Sequence, residues 1–411
     1  MRQSGVEPIR ASPLDVVEKA VSSSGERKLR RVSVWLMLFF LFQGGLGAVW
    51  DREWHAYVGR DQFWTPPHTL IYSCVAGVGL MAFALVLVET FRYRRGAAGA
   101  SDSSMVRVFW FFHAPLGFVI TGFGALLALI AAPLDNYWHE LYGIDITLWA
   151  PFHMMGVTGG VIGIVGVIYV FASEAAIDRQ LGYQRRRLLG LNALEWGALL
   201  VMASLMEYTL TGFLQFPLAS LGPLNISSYP LPLVAGATFC FVGALGLTRR
   251  PGVATYLVLF LLLNTLAVEL FIPWAIRTAV AAQGLTYRPP GRAPAFSWAY
   301  ALLPLVYLLS AFMVDGAAFW SQRRHSRIGY TSRSVALMGA IITPPIVVLA
   351  PFILHSYSTF APIFLPQPGL PVPLSLSVAA YLLFSLVVLG FGVLGAVLGA
   401  DFGAIWRHNT R

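Results

Sequence analysis

Charge is what this chain has least of. Only 11% of its 411 residues are Asp, Glu, Lys or Arg, against 57% hydrophobic, and the mean hydropathy is +0.68. Those values exclude a soluble globular domain. Lysine is almost missing, at two of 28 basic residues; with abundant Ala and Gly, this hints at the codon usage of a GC-rich bacterial genome. There are two cysteines, Cys74 and Cys240. Both fall inside apolar runs and neither belongs to a CxxC pair, so a disulfide framework is excluded and two buried free thiols are expected. The net charge of +9 does not point to nucleic acid, because the basic residues are scattered through short loops and form no patch.

Long apolar runs are what is present. Ten candidate spans fall at 32–50, 67–91, 108–132, 149–173, 190–215, 230–248, 253–276, 297–319, 334–355 and 373–399, which predicts an all-α, polytopic integral membrane protein. No cleavable signal peptide is expected, since the first run follows a long charged arm. Residues 1–31 form that basic arm, whose part from Val16 to Arg31 is read either as an amphipathic helix on the membrane surface or as disorder. With the arm placed in the cytoplasm and sides alternating, 23 of 28 basic residues fall inside. The five outside are Arg52, Arg60, Arg277, Arg288 and Arg292. This bias predicts both termini in the cytoplasm and a place in a bacterial inner (cytoplasmic) or intracytoplasmic membrane. Three regions follow: the arm, a four-helix region at 32–173, and a six-helix region of unknown role at 174–411.

The informative feature is an internal repeat. Residues 51–68 read DREWHAYVGRDQFWTPPH and residues 135–153 read DNYWHELYGIDITLWAPFH. Allowing one inserted residue, the copies share Asp51/Asp135, Trp54/Trp138, His55/His139, Gly59/Gly143, Asp61/Asp145, Trp64/Trp149, Pro66/Pro151 and His68/His153. Four of the chain's eight histidines lie in these windows. Asp51 with His55, and Asp135 with His139, are i and i+4, so on a helix each pair shares a face. The third member of each set opens the next span two residues after a proline, a helix-start position.

A carboxylate and two imidazoles from two elements form an incomplete ligand set for copper, iron(II) or zinc, with positions open for water, oxygen or substrate. A single Asp-x-x-x-His near a membrane surface is usually a solvated pair; the duplication of all three residues in register favours metal. Both copies fall at the periplasmic end of two parallel helical hairpins. Asp61 and Asp145 are read as partners orienting an imidazole, as alternative ligands, or as ordinary hydrogen-bonding residues. The tryptophans, among them Trp50, Trp54 and Trp64, read equally well as an interfacial belt.

The first copy resembles the metal motif of a membrane subunit in the particulate methane monooxygenase and ammonia monooxygenase family. That pattern is D-x3-H-x12-H with R-D and T-P before the last His, supplied here by Asp51, His55, Arg60-Asp61, Thr65-Pro66 and His68. The family's second motif, N-x3-H-x13-H ending in A-P-L-H, is matched by His139, Ala150-Pro151 and His153, with Asp135 in place of the Asn. The resemblance covers about residues 45–160. It implies copper, dioxygen-dependent hydroxylation with Asp135, His139 and His153 as the reaction centre, and partner subunits, one with periplasmic copper domains. A non-catalytic copper-binding or copper-handling membrane protein shares every ligand and stays open as an alternative. A transporter fits less well, because the repeat is parallel.

Three acids lie within predicted spans: Glu207, Glu269 and Asp315. Acids in lipid usually face a bundle interior. Glu207 and Glu269 fall at the depth of the histidines and are candidates for proton handling or for supporting the ligands; a pair of Glu269 with Arg277 is the local alternative. His113 reads as a core histidine and Met154 and Met155 as packing; His355 ends the ninth span on the outer side, with reach to the site as its minor reading.

Overall fold

The computed structural model describes residues 13–59, 62–97, 104–143, 150–211, 218–289, 291–325, 332–353, 364–366, 369–371 and 373–408. Helix dominates: α1 (Pro13–Tyr57), α2 (Pro66–Arg94), α3 (Leu116–Tyr142), α4 (Pro151–Gln180), α5 (Ala193–Thr211), α6 (Pro230–Thr248), α7 (Val253–Gln283), the short α8 (Trp298–Ala301), α9 (Leu308–His325), α10 (Ser332–Ile353) and α11 (Leu374–His408). A 3₁₀ turn at Leu303–Tyr307 joins α8 to α9. Five short strands lie between helices: β1 (Met105–Val108), β2 (Phe112–Pro115), β3 (Leu218–Leu221), β4 (Leu224–Ser227) and β5 (Phe364–Pro366). Among the described residues, nine helical segments are long and apolar enough to cross a membrane, so the chain is an all-α multi-pass membrane protein.

The one expected span outside these nine, the fifth at 190–215, forms α5, whose Glu195 and Glu207 lower its hydropathy. It is a 19-residue helix, about 28 Å long, packed between α4 and α6. The third span differs more. Its expected start at 108 falls instead in an antiparallel β1–β2 hairpin. The run Phe109-Trp110-Phe111-Phe112 looked membrane-spanning, but Phe109 and Trp110 adopt positive φ in the hairpin turn and stand exposed. His113 therefore sits in β2, stacked on Tyr93 at 3.7 Å, and not in a helical core.

Close helix contacts are made where side chains are smallest. A Cβ on Gly159 of α4 would sit 2.7 Å from the Ala128 nitrogen and the Gly124 carbonyl oxygen of α3. Gly117 and Gly166 continue the same seam. Gly395, Gly399 and Gly403 of α11 lie likewise against Ala235, Phe239 and Gly246 of α6. In lipid, such stripes supply the packing that apolar burial does not. Gly159→Val is expected to cost roughly 1–3 kcal/mol by overpacking and to part α3 from α4, lowering the thermal midpoint in detergent. An unchanged midpoint would show that the seam tolerates separation.

Loop contacts sort the helix ends into two layers. At one end, Arg288 donates its backbone N–H to the Tyr57 carbonyl at 2.8 Å, and β4 pairs with β5. At the other, Asp315 of α9 accepts from the backbone N–H groups of Ala254 (3.3 Å) and Thr255 (2.8 Å) and from the Thr255 hydroxyl (2.7 Å). A carboxylate from α9 thus caps α7, satisfying N–H groups left over at its first turn. At that same end the arm is neither detached nor flat on a surface from Arg27 onward: α1 runs unbroken from Pro13. There Arg27, Arg30 and Arg31 pair with Glu89, Glu174 and Asp178.

Candidate metal centre

Each copy of the repeat folds as a helical hairpin, and the local sequence explains its shape. The first helix carries Asp and His in its last turns and ends at a glycine with positive φ, Gly59 (70°) in one copy and Gly143 (82°) in the other. A side chain would be strained there. The second helix starts at Pro66 or Pro151, whose fixed φ suits the first helical position. His68 and His153 then occupy the third position. Thr65 caps α2, its hydroxyl accepting from the His68 N–H at 3.3 Å. The Asp and first His of each set lie inside α1 and α3 and not in loops after them. α3 continues through Pro133, where the expected span stopped at 132; membrane helices accommodate such a proline.

The expected residues meet in two groups, Asp51 with His55 and His68, and Asp135 with His139 and His153. In each group the three donor atoms lie within 4.8 Å of one another. His68 Nε2 is 3.2 Å from Asp51 Oδ1, and His55 Nε2 is 3.6 Å from Asp51 Oδ2. In the second group both imidazoles face one oxygen, Asp135 Oδ2, with His153 Nε2 at 2.9 Å and His139 Nε2 at 3.5 Å.

Tautomers follow from the backbone. His68 Nδ1 lies 2.9 Å from the Gln62 carbonyl oxygen, and His139 Nδ1 lies 3.2 Å from that of Gly143. A carbonyl only accepts, so both Nδ1 atoms carry hydrogen, and in the neutral rings Nε2 presents a lone pair. A lone pair facing a carboxylate oxygen at such distances needs a cation between them, a proton or a metal ion. Imidazole and carboxylate donors 2.9–3.6 Å apart suit a metal: bonds of 2.0–2.2 Å in tetrahedral array separate ligands by about 3.3–3.6 Å. Asp51 Oδ1 and Asp135 Oδ1 are buried and hydrogen-bonded to nothing among the described residues, which leaves capacity for an ion. The donor sets fit.

Both groups line one cavity of about 1340 Å³ between α1, α2, α3, α4 and α5. Its walls are mostly apolar, with Ala128, Val157 and Ile164 among them, and it reaches the exposed residues Phe42 and Leu129. Phe63, Trp64 and Tyr72 cluster beside His68, Tyr72 lying 5.5 Å from the imidazole between ring centroids.

Glu207 also lines the cavity and accepts from the Asn264 side-chain amide. Glu269 is not among its lining residues: it accepts from the Ser297 N–H at 3.2 Å, while Arg277 donates to the Pro294 carbonyl at 3.1 Å. The two side chains brace one loop separately. Asp61, Asp145, Trp149 and His355 lie outside the described residues. Met154 lines the cavity and Met155 does not. Cys74 and Cys240 are free thiols.

Sequence reasoning missed Arg288, whose guanidinium donates to the His55 carbonyl at 3.1 Å and so holds the end of α1 in place. It was legible only as an isolated basic residue outside the spans. Trp50 and Trp54 are not an interfacial belt either: they pack against Val268, Ile272 and Ile276 of α7, which leaves the opposite side of the helix to the cavity. No family model, curated protein or solved structure matches this chain.

Proposed function

We propose that the protein binds copper through Asp51, His55 and His68 and through Asp135, His139 and His153, and that it is a copper-dependent membrane monooxygenase or its metal-bearing subunit. Its substrate would be small: ammonia, methane or a short hydrocarbon, hydroxylated with dioxygen. The observation that carries this reading is the pair of Asp-His-His sets facing one apolar cavity, with each imidazole Nε2 2.9–3.6 Å from a carboxylate oxygen. Iron and zinc suit the same donors; the resemblance of the two spaced motifs to those of the copper membrane monooxygenases selects copper. The positive-inside bias places both sets at the periplasmic end, where a partner protein with copper domains would meet them.

Bound copper would supply activation of dioxygen. The chain supplies the rest. The carbonyls of Gln62 and Gly143 fix the ring orientation of His68 and His139, and outer partners of this kind are worth 10–100-fold in affinity or activity. The apolar wall excludes bulk water, and the opening at Phe42 and Leu129 faces the phase in which an apolar substrate dissolves. Glu207, hydrogen-bonded to Asn264 in the cavity wall, is the cavity's candidate for accepting or releasing protons. Glu207→Gln is therefore expected to lower turnover with metal content retained. Loss of metal in that variant would make Glu207 a ligand, and unchanged turnover would remove it from the mechanism.

The test is oxygen consumption by the copper-loaded protein, with its partner subunits, on ammonia, methane and short alkanes. Substrate-dependent uptake with hydroxylated product supports the enzyme. Bound copper without turnover, partners present, replaces it with a non-catalytic copper-binding protein.

A further inference from the structure

At the bundle end opposite the metal centre lies a groove of about 790 Å³ between α1 and the connection after α4. We propose that it binds the phosphate of an anionic phospholipid. Arg27, Lys28, Arg31 and Arg185 line it, with Trp35 and Tyr183. Two carboxylates answer these four cations: Arg31 Nη2 lies 2.6 Å and Arg27 Nη2 2.8 Å from Asp178 Oδ1, Arg185 Nε lies 3.0 Å from Asp178 Oδ2, and Arg31 Nε lies 3.2 Å from Glu174 Oε2. Arg30, behind them, is matched by Glu89. Among the described residues the groove is left with an excess of positive charge.

Arg27 points to the sign of the missing partner. It is 6% exposed, yet its Nε and Nη1 groups are buried with no acceptor among the described residues. A buried guanidinium short of acceptors is costly, and phosphate oxygens match its fork of donors. The Tyr183 ring stands between two of the cations, 5.8 Å from Arg27 and 5.7 Å from Arg185.

The remaining wall separates a lipid from a free anion. Lys28, Val32, Trp35 and Leu36 follow one another up one face of α1, and the last three are exposed. A cationic start followed by an apolar strip along a membrane helix fits a headgroup with its acyl chain, and basic pockets between membrane helices are suited to anionic headgroups. Inorganic phosphate would have no use for the strip. This site stands apart from the copper reading and holds whichever metal the other end binds.

The experiment is native mass spectrometry of the full chain in detergent, offered phosphatidylglycerol, phosphatidylcholine or inorganic phosphate. Retention of phosphatidylglycerol alone is expected, weakened roughly thirtyfold by Lys28→Gln with Arg185→Gln. Lys28→Gln by itself breaks no ion pair recorded for the described residues, and is expected to weaken retention roughly fivefold, so the test survives if the double variant misfolds. Equal retention of phosphatidylcholine, or undiminished retention by Lys28→Gln, overturns the proposal. Binding of inorganic phosphate that displaces the lipid overturns it in favour of a free-anion site.

Discussion

Replacing His139 and His153 together with alanine is expected to lower bound copper by one ion per chain and to abolish most turnover. The two donor sets sit on separate hairpins, and neither borrows a residue from the other. Removing both imidazoles leaves Asp135 as the one remaining ligand where at least three are needed. The loss in activity should exceed the 10–100-fold typical when only an outer partner of a ligand is removed. The matching double variant of His55 and His68 should also lose one ion but retain more turnover, because the resemblance assigns the reaction centre to the second set. Elemental analysis and oxygen uptake on the same preparations check both. Retention of two ions by the first variant would mean that the second set is not a metal site. Equal loss of turnover in both variants would mean that the centres work as one.

Arg30→Met is expected to be the most destabilising single change, by about 3–5 kcal/mol. Arg30 and Glu89 are each 1% exposed, with Arg30 Nε 2.7 Å from Glu89 Oε1, and Glu174 Oε1 lies 3.8 Å from Arg30 Nη1. Removing the guanidinium leaves a buried carboxylate without its counter-charge, which costs far more than the pair contributes net. The double variant Arg30→Met, Glu89→Met should therefore recover most of the loss, since two apolar side chains replace two ions. Unfolding in detergent monitored by circular dichroism decides this. A double variant as unstable as the single one would show that the network has a role beyond neutralising its own charges.

Local pattern made much of this architecture legible. The sixth span was expected at 230–248 and forms Pro230–Thr248, because Pro230 marks its start and Arg249-Arg250 its end. The ligand groups were legible for the same reason: i, i+4 spacing and a proline-opened helix are properties of a few adjacent residues. What stayed hidden depends on distant partners. Arg27, Arg30 and Arg31 read as part of a surface helix or a disordered arm because their carboxylates lie 59 to 151 residues away in sequence. Asp315 read as an intramembrane acid of unknown use because its partners are backbone N–H groups of another helix. The carbonyls that orient His68 and His139 carry no side-chain signature. The aromatic run at 109–112 misled for a physical reason: four aromatic residues are as apolar in a hairpin tip at the membrane surface as in a span.

The central claim is that both Asp-His-His sets hold copper. Anomalous scattering recorded on either side of the copper absorption edge, from crystals of protein purified from its native membrane, tests it most directly. The account predicts two peaks per chain that appear only above the edge. One should lie about 2.0–2.2 Å from a carboxylate oxygen of Asp51 and the Nε2 atoms of His55 and His68, the other at like distances from Asp135, His139 and His153. Peaks at these places that persist below the copper edge, or follow the iron or zinc edge, would contradict the choice of metal. No peak at either set would contradict the claim itself.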